Sequence, residues 1–317
     1  MMLRELRCGV LVYPDFHGPP NPETGKTAAM TAPAIGIVYN LYKTYKCDTQ
    51  HIAQEVAQWL SDRGENVYLF SSYYNSNEEF ERDVGDVRLK MALVFGGDGT
   101  VLYAARLLAP HGIPLLCINA GSLGFISETA LEDLYPALER LLAGEYVIQE
   151  RSMLKIEVLD ENYQSRLLFH ALNDAAIMRH PLSYIIDLAT YIDGEYINTY
   201  RADGLIMASA TGSTAYSMSA GGPLMMPDVA AYIVNPLCPH ALFNRAVVIP
   251  EWKETMVKVL LRETSQEVLI TIDGQAHQQL YHRDIVKVSR SFYKTRLVKF
   301  QKNDFFHIMR QKLFFGR

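Results

Sequence analysis

From Ile35 onward, short apolar runs alternate with amphipathic stretches, and this alternation is the first constraint on the fold. Ile35 to Tyr39 reads as a buried strand, Thr49 to Arg63 as a helix with one apolar stripe, and Asn66 to Phe70 and Met91 to Phe95 as two more strands. A helix is predicted after Thr100, a strand over Ile113 to Asn119, and another helix over Leu131 to Ala143. Such traffic builds an open α/β sheet, whose ligands gather beyond the carboxyl ends of the strands. After Glu145 the texture changes. The segments LKIEVL, SRLLFHALNDAAI, IDLATYIDGEYI, DGLIMAS, AVVIP, MVKVLL, EVLITIDGQ and DIVKVSRS have strand character with turn residues between them, which predicts a β-rich second part. Phe305 to Leu313 reads as a short amphipathic helix expected to pack back on the first part. The expected division is an extension over 1–34, an α/β domain over 35–146, a β-rich domain over 147–300 and a terminal helix within 301–317. Between residues 14 and 33, Pro14, Gly18, Pro19, Pro20, Pro22, Gly25 and Pro33 occur without apolar periodicity, as in a loop.

Composition narrows the class of ligand. With 317 residues, 49% of them hydrophobic, the chain can bury a substantial core and fill two domains of ~100–200 residues each. The net charge of −5 comes from interspersed acids and bases, with no Lys or Arg run of the kind that binds nucleic acid or a membrane surface. A small soluble substrate fits better. No apolar segment approaches the ~20 residues that cross a bilayer, and the opening MMLRELRCGV does not read as a signal peptide, so a cytoplasmic location is expected. Cys8, Cys47, Cys117 and Cys238 lack the spacing of a zinc site or a disulfide framework, and no dedicated metal ligands are predicted.

The chemistry concentrates in five places. In Leu93 to Thr100 an apolar strand empties into Gly96-Gly97-Asp98-Gly99-Thr100 and then a helix, where glycines and amide N–H groups suit a polyphosphate. The same motif could be a tight turn in which Asp98 caps the helix. Asn119 to Phe125 forms a second glycine-rich turn after the next strand, so both turns should leave the same sheet edge, with Phe125 either stacking on a base or filling core. Residues 203 to 223 are dense in hydroxyls and glycines, fit either for a ribose and base edge or for turns and caps. Asn173-Asp174 interrupts an apolar run and Asp273-Gly274-Gln275 follows another. Buried groups of this kind need partners, from a ligand or from an internal network.

Taken in order, GGDGT, NAGSLGF, LNDAAI, the DGLIMAS segment running into TGSTAYSMSAGGP, and IDGQ resemble the NAD kinase family over roughly Ile35 to Leu313, and CPHALFNRAVVIP is similar to that family too. The resemblance implies a Rossmann-like α/β nucleotide-binding domain followed by a β-sandwich-like domain, with the active site between them. It further implies transfer of the γ-phosphoryl of ATP to the adenosine 2′-hydroxyl of NAD, Mg²⁺ accompanying ATP, and a homodimer or homotetramer. By the same resemblance Asp98 is the catalytic base and orienting group. Gly96, Gly97, Gly99 and Thr100 surround the phosphates, Phe125 packs on the adenine, and Asn173 and Asp174 hold the adenosine. Arg201 and Asp203 lie near the second nucleotide, Thr214, Ala215, Tyr216, Ser217 and Ser219 line the adenine and ribose pocket, and Asp273 with Gln275 completes the site. The sequence departs from the family where Asp174 replaces a more usual Glu, Tyr103 a basic residue, Tyr184 a ligand His, and Ala210 a common Pro.

Three rivals share parts of this pattern. Diacylglycerol-type and sphingosine-type lipid kinases also carry a GGDGT turn, but the polar TGSTAYS segment suits a hydrophilic dinucleotide, and no basic amphipathic helix reads as a membrane anchor. A catalytically inactive dinucleotide sensor would not need Asp98. A dehydrogenase would carry a GxGxxG fingerprint, which is missing.

Overall fold

The computed structural model describes residues 33–40, 48–72, 88–121, 124–240, 245–263, 265–300 and 305–314. The proline- and glycine-rich stretch up to residue 32, residues 122–123 of the NAGSLGF turn, residues 241–244, and Cys8 and Cys47 lie outside them.

The first part is a parallel sheet covered on both faces. Its strands are β1 (Ala34–Asn40), β2 (Asn66–Ser72), β3 (Leu89–Gly96) and β4 (Leu115–Asn119), hydrogen-bonded in the order β4-β3-β1-β2. Helix α1 (Thr49–Ser61) buries Thr49, Ala53, Val56 and Leu60, one stripe of a 3.6-residue period, and Asp48 caps it by accepting the His51 N–H at 3.2 Å. Together with α3 (Leu134–Leu142) it covers one face, while α2 (Asp98–Leu108) covers the other. Because both faces are covered, β3 is buried continuously from Met91 to Gly96 rather than in alternation. Helix α2 buries Val101 to Ala105 as well as Leu107 and Leu108, for it is enclosed by this sheet on one side and the β-rich part on the other.

The β-rich part grows out of the same sheet. Strands β6 (Val147–Leu159) and β17 (Ile285–Lys299) pair antiparallel along nearly their whole lengths. At its C-terminal end β17 runs parallel to β4, through Leu297 and Leu115, and at its N-terminal end it pairs with β14 (Thr255–Leu260). The result is one 11-stranded sheet among the described residues, reaching through β9 (Ile186–Ile192) to β10 (Glu195–Ala202), with β5 (Thr129–Ala130) beside β4 and β7 (Ser165–Ala171) beside β6. A second sheet of six strands faces it: β8 (Asp174–Arg179), β11 (Gly204–Ser209), β12 (Ala231–Leu237), β13 (Val247–Pro250), β15 (Val268–Ile272) and β16 (Ala276–Leu280). Their inner faces interdigitate, Leu154, Val257 and Val286 from one against Ile177, Leu205 and Ile270 from the other, which makes this part a sandwich.

Three elements differ from the sequence reading. The run SRLLFHALNDAAI, expected as one strand, is cut at Leu172-Asn173 into β7 and β8, which belong to different sheets. IDLATYIDGEYI is a hairpin, folded at Asp193 and Gly194 with φ of 49° and 79°, the left-handed pair that Asp-Gly supplies to a tight turn. Strand β12 was not among the expected strands, and it carries Pro236, which has no N–H to give to a ladder. It is tolerated because β13 pairs only with Ala231 to Val234, leaving Pro236 with a neighbour on one side. The predicted terminal helix is present as α5 (Phe305–Phe314).

Within the six-stranded sheet β11 lies close against its partner β8, and a Cβ on Gly204 would overlap the Ile177 carbonyl oxygen. That neighbour is backbone within a paired strand and has nowhere to go. We expect Gly204→Ala to destabilise the chain by ~1–3 kcal/mol, the cost of overpacking a well-filled site, seen as a lower urea midpoint with an unchanged m-value. An unchanged midpoint would show that the two strands give way more easily than this packing implies.

Candidate active site

Strands β3 and β4 place Gly96 directly opposite Asn119, so the two glycine-rich turns leave the sheet side by side. Gly96 is a glycine because Thr100 folds back over it, and a Cβ there would overlap the Thr100 Oγ1. Gly97 caps α2 with its backbone, its carbonyl accepting from Thr100 and Val101 at 3.0 and 3.2 Å without a side-chain cap. Asp98 is therefore not the cap. Its carboxylate crosses to the neighbouring turn, where Oδ2 accepts the Phe125 N–H at 3.0 Å and Oδ1 the Ile126 N–H at 3.4 Å. Gly124 passes so close that a Cβ would overlap Asp98 Oδ1. Asp98 stays half-buried, and each carboxylate oxygen keeps a lone pair for a further donor. The half-buried Phe125 ring lies 4.6 Å from Lys312 Nζ, brought there by α5.

The β-rich part meets this edge with a two-residue turn. Asp273 (φ 51°) and Gly274 (φ 64°) join β15 to β16, and the buried Asp273 carboxylate accepts three consecutive amides: Leu172 at 3.1 Å, Asn173 at 2.7 Å and Asp174 at 3.1 Å. Those amides are where β7 ends and β8 begins, so this bond set is the physical reason the expected single strand breaks. The next residue, Gln275, donates from Nε2 to the Gly99 carbonyl at 2.6 Å, fastening the turn to α2. Burial raises the Asp273 carboxyl pKa, opposed by those amides and by the nearby Arg106 guanidinium. Burial, with the Asp273 charge adding to it, pushes Asp174 from 3.8 up to about 7.

Around this seam the buried side-chain atoms with no hydrogen-bond partner among the described residues include Asn173 Oδ1, Thr211 Oγ1 and Gln275 Oε1. Each such atom costs ~1–3 kcal/mol unless something outside the chain satisfies it. Gly212 packs on Asn173 so tightly that a Cβ would overlap the Asn173 carbonyl, and Ser209 N–H donates to that same carbonyl at 2.8 Å. The short helical turn Thr211–Thr214 thus lies directly on Asn173. Thr214 and Ala215 are half-buried, the former with its hydroxyl on the Thr211 carbonyl at 3.1 Å. Ser217 is fully buried, and its carbonyl accepts from Asn235 Nδ2 at 3.1 Å. Tyr216 and Ser219, on α4 (Tyr216–Ser219), are exposed. Partial burial, then the nearby Cys238, Asp174 and Asp203, hold the Tyr216 phenol above its ordinary range.

The remaining expected residues lie further out. Asp203 pairs with Arg179 (2.6 Å) rather than with Arg201, which is exposed on β10. Tyr184 is 67% exposed on the link between β8 and β9. Arg179 Nη1 gathers that link by donating to the carbonyls of Pro181 and Ser183, both at 2.9 Å. Arg179, Arg106 and Asn235 were not singled out from sequence. Asn235 had a visible signal, a lone amide inside the apolar run AYIVNPL; the two arginines looked like ordinary exposed charges.

The model of the ATP-NAD kinase N-terminal domain matches residues 35–146, and that of the ATP-NAD kinase C-terminal domain matches residues 172–300. The chain is 41% identical over 282 residues to the NAD kinase of Moorella thermoacetica, covering 88% of each. It is 36% identical over 283 residues to the NAD kinase of Caldanaerobacter subterraneus subsp. tengcongensis, covering 88% of this chain and 98% of that one. Among solved structures, yeast NADH kinase complexed with NADH superposes with a TM-score of 0.77 at 24% identity, over 89% of this chain and 88% of that one. An NAD kinase from Archaeoglobus fulgidus in complex with ATP gives 0.68 at 22% identity, over 88% and 98%. At these identities the two structures speak for the fold.

The raised Asp174 carboxyl has a thermodynamic consequence. The folded chain holds this proton up to about pH 7, whereas the unfolded chain releases it near the ordinary 3.8. The stability gained by holding the proton is therefore full at low pH and is lost as pH rises through that window, at ~1.4 kcal/mol for each pH unit for one such group. We expect urea unfolding to show lower stability at pH 8 than at pH 5, with a smaller difference in Asp174→Asn. Equal differences in the two proteins would mean that Asp174 is ionised throughout.

Proposed function

Because the chain belongs to the ATP-NAD kinase family, phosphotransferases that convert NAD to NADP with ATP, we propose that the seam between Asp98, Asn173, Asp174 and Gln275 is where the transfer occurs. The lipid-kinase and sensor readings find no support among the relatives. What favours this seam is the Gln275 to Gly99 hydrogen bond of 2.6 Å, which fixes the β-rich part against the start of the helix that presents Asp98. The buried atoms Asn173 Oδ1, Thr211 Oγ1 and Gln275 Oε1, without partners among the described residues, give a polar ligand its donors and acceptors there.

On this reading the adenosine of NAD lies against Asn173, Asp174 and the Thr214 to Ser219 segment, with its base on Phe125. The ATP phosphates meet the amides and small residues from Gly96 to Thr100. Phosphoryl transfer asks the protein chiefly to align the attacking and leaving oxygens and to stabilise spread charge. The Phe125 and Ile126 amides hold the Asp98 carboxylate in one orientation, leaving a lone pair to accept the hydrogen bond of the 2′-hydroxyl. The 2′-oxygen bonds to the γ-phosphorus as the bond from that phosphorus to the β,γ-bridging oxygen breaks. The hydroxyl proton passes to Asp98 late, as the oxygen becomes acidic, and ADP departs. No group of three or more His, Cys, Asp or Glu side chains able to hold a metal occurs among the described residues. Mg²⁺ would arrive as part of the substrate on the ATP phosphates, neutralising their charge, with Asp98 the carboxylate best placed to meet it.

A homodimer or homotetramer is the assembly we favour. Exposed Leu182, Tyr184, Trp252 and Phe292 supply the kind of apolar surface that such contacts cover. No helix among the described residues is long and apolar enough to cross a membrane. ATP and NAD as substrates support a cytoplasmic location.

Purified protein given ATP, Mg²⁺ and NAD is expected to form NADP, read with an NADP-specific dehydrogenase. Asp98→Asn should lower kcat at least ~100-fold with the fold intact, the lower end of what a positioned acid–base group contributes. A folded Asp98→Asn enzyme with near-normal turnover would remove Asp98 from the reaction.

A further inference from the structure

The segment from Gly124 to Glu128 is held at both ends. At one end the Phe125 and Ile126 amides bind Asp98. At the other, Glu128 N–H donates to the Cys117 carbonyl at 2.9 Å, and both of its carboxylate oxygens are bound to the end of β17. Oε1 accepts the Phe300 N–H at 2.8 Å, and Oε2 meets Lys299 Nζ at 2.7 Å. Both side chains of this ion pair are only 10% exposed. Two charges taken out of water at such a place are a weak source of stability, since apolar residues of similar volume commonly do as well, but they fix a geometry. Lys299 is the last residue of β17, paired across the ladder with Val147, where β6 starts. The strand that carries it is common to the α/β part and the sandwich.

We propose that Glu128 and Lys299 are positioning residues for the phosphoryl transfer. The pair sets where the Phe125 and Ile126 amides stand relative to the sheet, and through those amides it sets the direction of the Asp98 carboxylate. Ile126 is two residues from Glu128, and Gly124, on the far side of Phe125, packs closely against Asp98, so the short segment is pinned on both sides. A shift at Glu128 is therefore passed to the carboxylate. Phe125 moves with the same segment, so the pair also holds the surface on which the base would lie. This inference rests on Asp98 being the group that orients the acceptor hydroxyl.

The test uses reach rather than charge removal, because an unpaired buried charge could unfold the chain. Glu128→Asp keeps the charge and withdraws the carboxylate by one methylene; Lys299→Arg in the same chain restores the reach. We expect Glu128→Asp to lower kcat about tenfold or more well below its unfolding temperature, as a misplacement of about 1 Å can do. The Phe125 and Ile126 amides should exchange with solvent faster, and Glu128→Asp/Lys299→Arg should recover most of both. A folded Glu128→Asp enzyme with normal kcat, a loss of kcat without faster exchange at those two amides, or a double variant no better than the single would overturn the proposal. Asp98→Asn assayed alongside separates the two readings. If it keeps its turnover, the role of Asp98 fails, whereas amide exchange in the pair variants still reports whether Glu128 and Lys299 hold the segment.

Discussion

The buried Asp273 carboxylate, with its three backbone amides, is the constraint on which the two halves of the molecule depend. A carboxylate in the interior is costly unless its lone pairs are filled, and here successive amides of one chain segment fill them. Satisfying the charge therefore dictates backbone shape: Leu172, Asn173 and Asp174 must turn their N–H groups inward, and no strand can run straight through them. The chain leaves the large sheet at that point and enters the six-stranded sheet. Asn173 and Asp174 are delivered to the seam as a result, and Gln275, two residues after Asp273, closes onto the helix that begins with Asp98.

A shared strand gives this arrangement its rigidity. Were the two parts joined by a flexible connection, Asp98 on one and Asn173 on the other would need ligand binding to bring them into register. Here β17, paired with β6 on both sides of a register shift, runs from the sandwich to β4 of the parallel sheet. Parts built on one sheet are pre-organised, and little conformational entropy is left for substrate to remove. The register shift between Arg290 and Lys294 lets the long pair bend between the two environments.

Charge is distributed along the seam in an ordered way. Three carboxylates, Asp98, Asp174 and Asp273, converge in a site read as receiving two anionic nucleotides, which would be self-defeating if all were free. Asp273 is spent on amides and lies in the field of Arg106. Asp174 is held near neutral charge by burial. Asp98 alone is half-exposed, and it stands between backbone amides rather than beside another acid. Lys312, from the far end of the chain, adds a positive charge beside Phe125.

The sequence by itself determined the classes of element and the places where chemistry could reside. Apolar continuity in Met91 to Phe95 announced a strand covered on both faces, the stripe Ala53, Val56, Leu60 announced α1, and GGDGT and NAGSLGF announced two turns on one sheet edge, because periodicity and turn chemistry are local properties. The order of the motifs likewise carried the family. What tertiary structure decided were the partners, which depend on residues far apart in the chain. Asp98 could have capped its own helix, and only the arrival of Phe125, 27 residues later, shows where its carboxylate goes. Asp273 was open to a ligand or to an internal network, and its bonds to Leu172, Asn173 and Asp174, about a hundred residues away, show it anchoring backbone. Arg106 and Lys299 carry no local signal, since a cation on a helix or at a strand end looks solvent-exposed until the other half of the fold closes over it.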